Sequence, residues 1–81
     1  MALQCSDIQR LLEPAFSGAS IEVQGGEGKY QVAIVSPAFE GQSRVKRQQS
    51  VYKALNAQIQ SGAIHAVSML LSTPQEAAVR P

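Results

Sequence analysis

The chain has 81 residues, of which 44% are hydrophobic and 16% charged, and its formal net charge is +1. That length holds one domain with a small core and modest stability, and the apolar content argues against an unfolded chain. A near-neutral balance excludes strong general attraction to nucleic acid or to anionic membrane, so any basic patch has to be local.

The longest apolar runs, such as Met69-Leu70-Leu71, fall far short of the ~20 residues a bilayer crossing needs. Met1 to Cys5 lacks the basic flank and apolar stretch of a secretory signal, and a single cysteine permits no internal disulfide. Both features point to the reducing cytoplasm. Only Phe16, Tyr30, Phe39 and Tyr52 are aromatic, so aliphatic side chains must supply most of the packing.

The first element reads as a helix. Ser6 with Gln9 has the spacing of a capping box, and Ile8, Leu11, Leu12 and Ala15 recur on one helical face. Pro14 ends the helix and Gly18 marks its exit. From Ser20 to Gln24 apolar and polar residues alternate, as on a half-buried strand. Gly25-Gly26-Glu27-Gly28 supplies the positive φ angles of a tight turn, and Tyr30 to Val35 reads as the more central strand of an antiparallel hairpin.

Pro37 to Gln42 is expected to be a loop. The pattern then turns helical from Ser43 to about Gln60, with Val45, Tyr52, Leu55 and Ile59 on one stripe. One helix, or two with a break near Ser50, satisfies it equally. Gly62 suits a left-handed cap. His65 to Ser72 reads as a third strand with His65, Val67, Met69 and Leu71 on one face. Thr73-Pro74-Gln75-Glu76 is a second capping box that opens a short final helix. The order αββα(α)βα makes an α+β fold in which a three-stranded sheet carries helices on one face.

Few residues carry obvious chemistry. His65, the only histidine, could offer an imidazole nitrogen to a metal, or sit as a hydrogen-bonded histidine at the rim of the core. One histidine without a cluster of Cys, Asp or Glu is not a metal site by itself, so a partner would have to complete the shell. Cys5, the only thiol, lies before the first helix, and no orienting group announces a Cys–His nucleophile. Arg44, Lys46 and Arg47 put three positive charges into four residues at a helix start, where the macrodipole disfavours them. They suggest an anionic partner, protein or nucleic acid; the plainer alternative is a solvated face. No phosphate loop, serine nucleophile, HExxH pair or coupled carboxylates are present, which gives an enzyme no support.

The stretch from Phe39 to Leu55 resembles the BolA signature F-x-G-x-S-R-V-x-x-x-x-x-V-Y-x-x-L. Ile64-His65-Ala66-Val67-Ser68 is similar to the I-H-A-L-S strand of that family, and Thr73-Pro74 follows where expected. The wording of Lys46 to Tyr52 and the short chain look closer to IbaG-like members than to BolA itself. The resemblance spans about Ile8 to Glu76. It implies a BolA-like fold related to the class II KH domain, and a non-enzymatic protein that pairs with a monothiol (CGFS) glutaredoxin and shares a [2Fe–2S] cluster. It also implies His65 as the cluster ligand, with no cluster held by the isolated chain, which is expected to be a monomer or weak homodimer. Many family members carry a second His or Cys in the first hairpin loop. Here Gly25 to Lys29 holds neither, and Lys29 stands in that place. The alternative implied by a KH-like fold and by Arg44, Lys46 and Arg47 is a DNA-binding regulator.

Overall fold

A computed structural model describes residues 3–79. Met1 and Ala2, where the segment read as lacking a secretory signal begins, lie outside the described residues. The elements run α1 (Cys5–Leu12), β1 (Ser20–Gly26), β2 (Lys29–Val35), a 3₁₀ turn (Pro37–Phe39), α2 (Arg44–Gln60), β3 (Ala66–Ser72) and α3 (Pro74–Ala78). The expected α+β order holds. The open question about the long helical stretch resolves to one helix of 17 residues, and the expected loop after β2 contains the 3₁₀ turn.

The sheet order is β1-β2-β3, with β2 central. β1 and β2 form an antiparallel hairpin in which Gly26 faces Lys29. β3 runs parallel to β2, from Lys29 opposite Ala66 to Val35 opposite Ser72. A parallel neighbour needs a crossover connection, and α2 provides it. Tyr30, Val32 and Ile34 of β2 point into the core, where they meet Ile8 and Leu12 of α1 and Val51 and Leu55 of α2. The opposite face carries Glu22, Gln24, Gln31 and Ser68 in the open. Alternation with a period of two therefore sorts the sheet into a helix-covered face and a bare one.

Two local expectations differ from what is found. α1 begins earlier than Ser6: Gln4 is its N-cap, and the Gln4 amide donates to Asp7 Oδ2 at 2.9 Å. An ionised carboxylate near the positive end of the helix is a stronger acceptor than the Gln9 amide, so Asp7 takes the capping role. On α2 the buried stripe runs through Val51 and Leu55, whereas Val45 and Tyr52 are 60% and 45% exposed. Residues 51 and 52 sit about 100° apart on a helix, so a modest rotation exchanges which of them is buried.

Arg47 fixes that rotation. Its guanidinium, with the side chain only 12% exposed, pairs with Glu76 through Nη1–Oε1 at 2.7 Å and Nη2–Oε2 at 3.2 Å. Nε donates to the Gln42 carbonyl and Nη1 to the Leu71 carbonyl. The guanidinium carbon lies 5.7 Å from the Phe39 ring centroid, within cation–π range. The hydrogen bond that Arg47 donates to Glu76 raises the Arg47 pKa against an opposing desolvation, so the stability this charge contributes is lost only in strong alkali. Thr73 and Glu76 cap α3 reciprocally, as the sequence predicts, and that places the carboxylate for Arg47.

Arg47→Ala strands the Gln42 and Leu71 carbonyls, whereas Glu76→Ala leaves them bonded. Thermal denaturation followed by circular dichroism will show a larger loss for Arg47→Ala. Leu55 is fully buried, and Leu55→Ala will cost about 2–4 kcal/mol by cavity formation. In a chain this size that is a large share of roughly 4–12 kcal/mol, readable as a lower urea midpoint with unchanged slope.

Candidate functional site

The β1–β2 connection is two residues long. Glu27 has φ +55° and Gly28 φ +84°, which meets the requirement of a type I′ turn for positive φ at both central positions. Gly25 and Gly26, expected in the turn, belong to β1. The turn lies at the same end of the sheet as the start of β3, because β2 and β3 are parallel and Lys29 faces Ala66.

His65 is the residue just before β3. Its backbone amide donates to the Gly28 carbonyl at 2.7 Å, and the Ala66 amide donates to the same oxygen at 3.0 Å. The imidazole then rests on Gly28. A Cβ at that position would lie 2.3 Å from His65 Cδ2 and 3.3 Å from Nε2, so the ring occupies the space a side chain would take. Gly28 is buried beneath the ring, while His65 itself is exposed. His65 shares strand parity with Val67, Met69 and Leu71, which are half-buried against the core, but it lies beyond the end of that core. The result is an exposed imidazole on a backbone seat held by two hydrogen bonds.

Cys5 comes to the same end of the sheet. It opens α1, is half-buried, and its Sγ donates to the Gly25 carbonyl at 3.4 Å. The Tyr30 hydroxyl donates to the Leu3 carbonyl, which ties the segment before α1 to the central strand. Lys29 is exposed at the start of β2. A protonated amine has no lone pair for a metal, so Lys29 does not replace an imidazole or thiol. Among the described residues, no group of three or more His, Cys, Asp or Glu side chains is placed to hold a metal ion. A [2Fe–2S] cluster needs four ligands. Among the described residues His65 stands without the further ligands such a cluster needs.

The basic residues divide. Arg44 and Lys46 are exposed in the first turn of α2, whereas Arg47 is engaged by Glu76, two carbonyls and Phe39. The three therefore do not form one patch.

The sequence singles out His65 but not its seat. A glycine at the second position of a two-residue turn, in register with the residue before the next strand, was the available signal. The reach of Cys5 to the hairpin had no sequence signal, because 20 residues separate Cys5 from Gly25.

The family model for BolA-like proteins matches residues 12–76. The chain is 41% identical over 74 residues to the acid stress protein IbaG of Escherichia coli, covering 91% of this chain and 88% of that protein. Among solved structures it resembles a BolA homologue from Coxiella burnetii, with a TM-score of 0.81 and 31% identity over 94% of this chain and 97% of that one. The BolA domain of SufE1 from Arabidopsis thaliana gives a TM-score of 0.81 and 34% identity over 93% of this chain and 99% of that one. No helix among the described residues is long and apolar enough to cross a membrane.

Gly28→Ala forces a Cβ into the ring and an L-residue into a left-handed conformation, a loss of about 1–2 kcal/mol from the backbone alone. In a His65→Ala background the steric part of that penalty disappears. A double-mutant cycle by urea denaturation will therefore give a non-zero coupling between residues 28 and 65, and the His65 ring-proton signals will move in Gly28→Ala.

Proposed function

The chain belongs to the BolA-like family, and on that premise we propose that it is a non-enzymatic accessory protein for a monothiol (CGFS) glutaredoxin. In this reading the two proteins share a [2Fe–2S] cluster, in its trafficking or in regulation that depends on it. The observation that carries the reading is the exposed His65 imidazole seated on Gly28. An imidazole buried among hydrophobic side chains would be a core residue. One that stands in solvent, on a backbone platform fixed by two hydrogen bonds, is held ready for a group that arrives from outside.

The incomplete ligand set supports a shared cluster rather than a resident one. One imidazole from this chain leaves three positions; the single thiolate of a monothiol glutaredoxin and that of one glutathione would fill two, and the last is left to a further group, for which Cys5 is this chain's thiol. Imidazole in place of thiolate raises the reduction potential of such a cluster. Gly28 orients the ring and the Gly28 carbonyl fixes the backbone on which the ring turns, so the ligand's direction is set before the partner docks.

The test is to titrate this protein into cluster-loaded CGFS glutaredoxin while recording visible absorption and circular dichroism. The wild-type chain will produce a new spectrum, and His65→Ala will lose it while still folding, because residue 65 is exposed. An identical spectrum with His65→Ala removes the ligand role. Cys5→Ser alongside establishes whether the thiol beside Gly25 takes part, since a spectrum unchanged by it leaves all thiolates to the partner.

A further inference from the structure

Helix α2 is basic and carries its unburied apolar side chains on the outside. Its 17 residues include Arg44, Lys46, Arg47 and Lys53 and no Asp or Glu. The one ion pair among the described residues consumes Arg47, and no carboxylate of the described residues lies within pairing distance of Lys46 or Lys53. Val45 and Tyr52 are seven residues apart and share one line along the helix, as do Lys46 and Lys53 one step round. Val45 and Tyr52 are among the most exposed large hydrophobic residues of the protein. An apolar pair bordered by unneutralised cations is not what solubility alone selects on a helix surface.

On the other flank of the lysine row lies a cleft of about 430 Å³. Phe16 and Phe39, with ring centroids 5.3 Å apart, contribute to its lining, and Ser50 and Lys53 of α2 border it. No carboxylate lines it. Gln42 also borders it, and the Gln42 Oε1 atom is buried and has no hydrogen-bond partner among the described residues.

From this arrangement we infer that the outer face of α2 docks an acidic segment of a partner protein. The partner's carboxylates meet Lys46 and Lys53, and its apolar side chains pack on Val45 and Tyr52 and enter the Phe16–Phe39 cleft. Charge complementarity selects the sign of the partner, and the apolar components select its class. A nucleic-acid backbone would use the lysines but would leave Val45 and the cleft unfilled, and the overall charge of +1 offers it little long-range attraction. The face lies on α2 rather than at the sheet end that carries His65, so docking and ligation use different residues. The inference takes from the function proposed above only that the chain acts through a protein partner.

The experiment uses the whole ¹⁵N-labelled chain and probes that contain neither glutaredoxin nor cluster, so its failure is separate from failure of the cluster reading. The probe is a short capped peptide of Glu, Asp and Leu. A peptide with Gln and Asn in place of the acids, and single-stranded oligothymidine, serve as comparisons. The acidic peptide will move the amide signals of Val45, Lys46, Gln49, Tyr52 and Lys53, and the neutral peptide will not. Lys46→Glu with Lys53→Glu will weaken the acidic peptide by about tenfold with the circular dichroism spectrum unchanged, since both side chains are exposed. Tyr52→Ala, also exposed, will weaken it at unchanged salt dependence. Signals that move elsewhere, no movement with the acidic peptide, or an affinity indifferent to the charge reversal would each overturn the inference. Tighter binding of oligothymidine on the same face overturns the partner class in favour of nucleic acid.

Discussion

The Arg47 guanidinium ties four parts of the chain together at one point. It holds the Gln42 carbonyl before α2, the Leu71 carbonyl near the end of β3, both carboxylate oxygens of Glu76 on α3, and the face of Phe39 in the 3₁₀ turn. A planar fork can satisfy this set, whereas an ammonium on a flexible stem cannot. Because Arg47 is anchored, α2 has no freedom to roll on the sheet. Val51 and Leu55 then face the core, and Val45 and Tyr52 are left in solvent. One buried-side cation thus determines which surface the longest helix shows to the outside.

The same clamp explains what could and could not be read from the sequence. The element order, the central position of β2 and the Thr73–Glu76 box depend on short-range patterns, and these are visible in single stretches of chain. The rotation of α2 depends on Leu71 and Glu76, which lie 24 and 29 residues from Arg47. Periodicity alone ties Tyr52, Leu55 and Ile59 into a stripe and has no means to know that Arg47 points inward. The start of α1 misled for a smaller reason: Ser6 with Gln9 and Gln4 with Asp7 both have box spacing, and charge decides between them.

His65 was legible as a residue, but its seat on Gly28 was not. A lone histidine beside Val67 and Met69 in strand parity suggests the rim of a core. The decisive fact is the seat beneath it, which requires a turn glycine from a different part of the sequence and the parallel register of β2 with β3. The family resemblance drew attention to His65 without this geometry. The absence of a second His or Cys from residues 25–29 stands unchanged in the structure, where the hairpin presents backbone and Lys29 to that end of the sheet.

The seat also has an order in time. Hairpins close locally, but β2 and β3 can pair only after the whole of α2 has been made and folded back between them, and non-local parallel pairing is intrinsically slow. Gly28 and His65 lie on opposite sides of that gap in the chain. A nascent or partly opened molecule therefore holds a histidine but no platform, and its imidazole wanders. Only the finished fold presents the ring in a fixed direction, so any partner reading that direction would in effect be checking that the chain has completed folding.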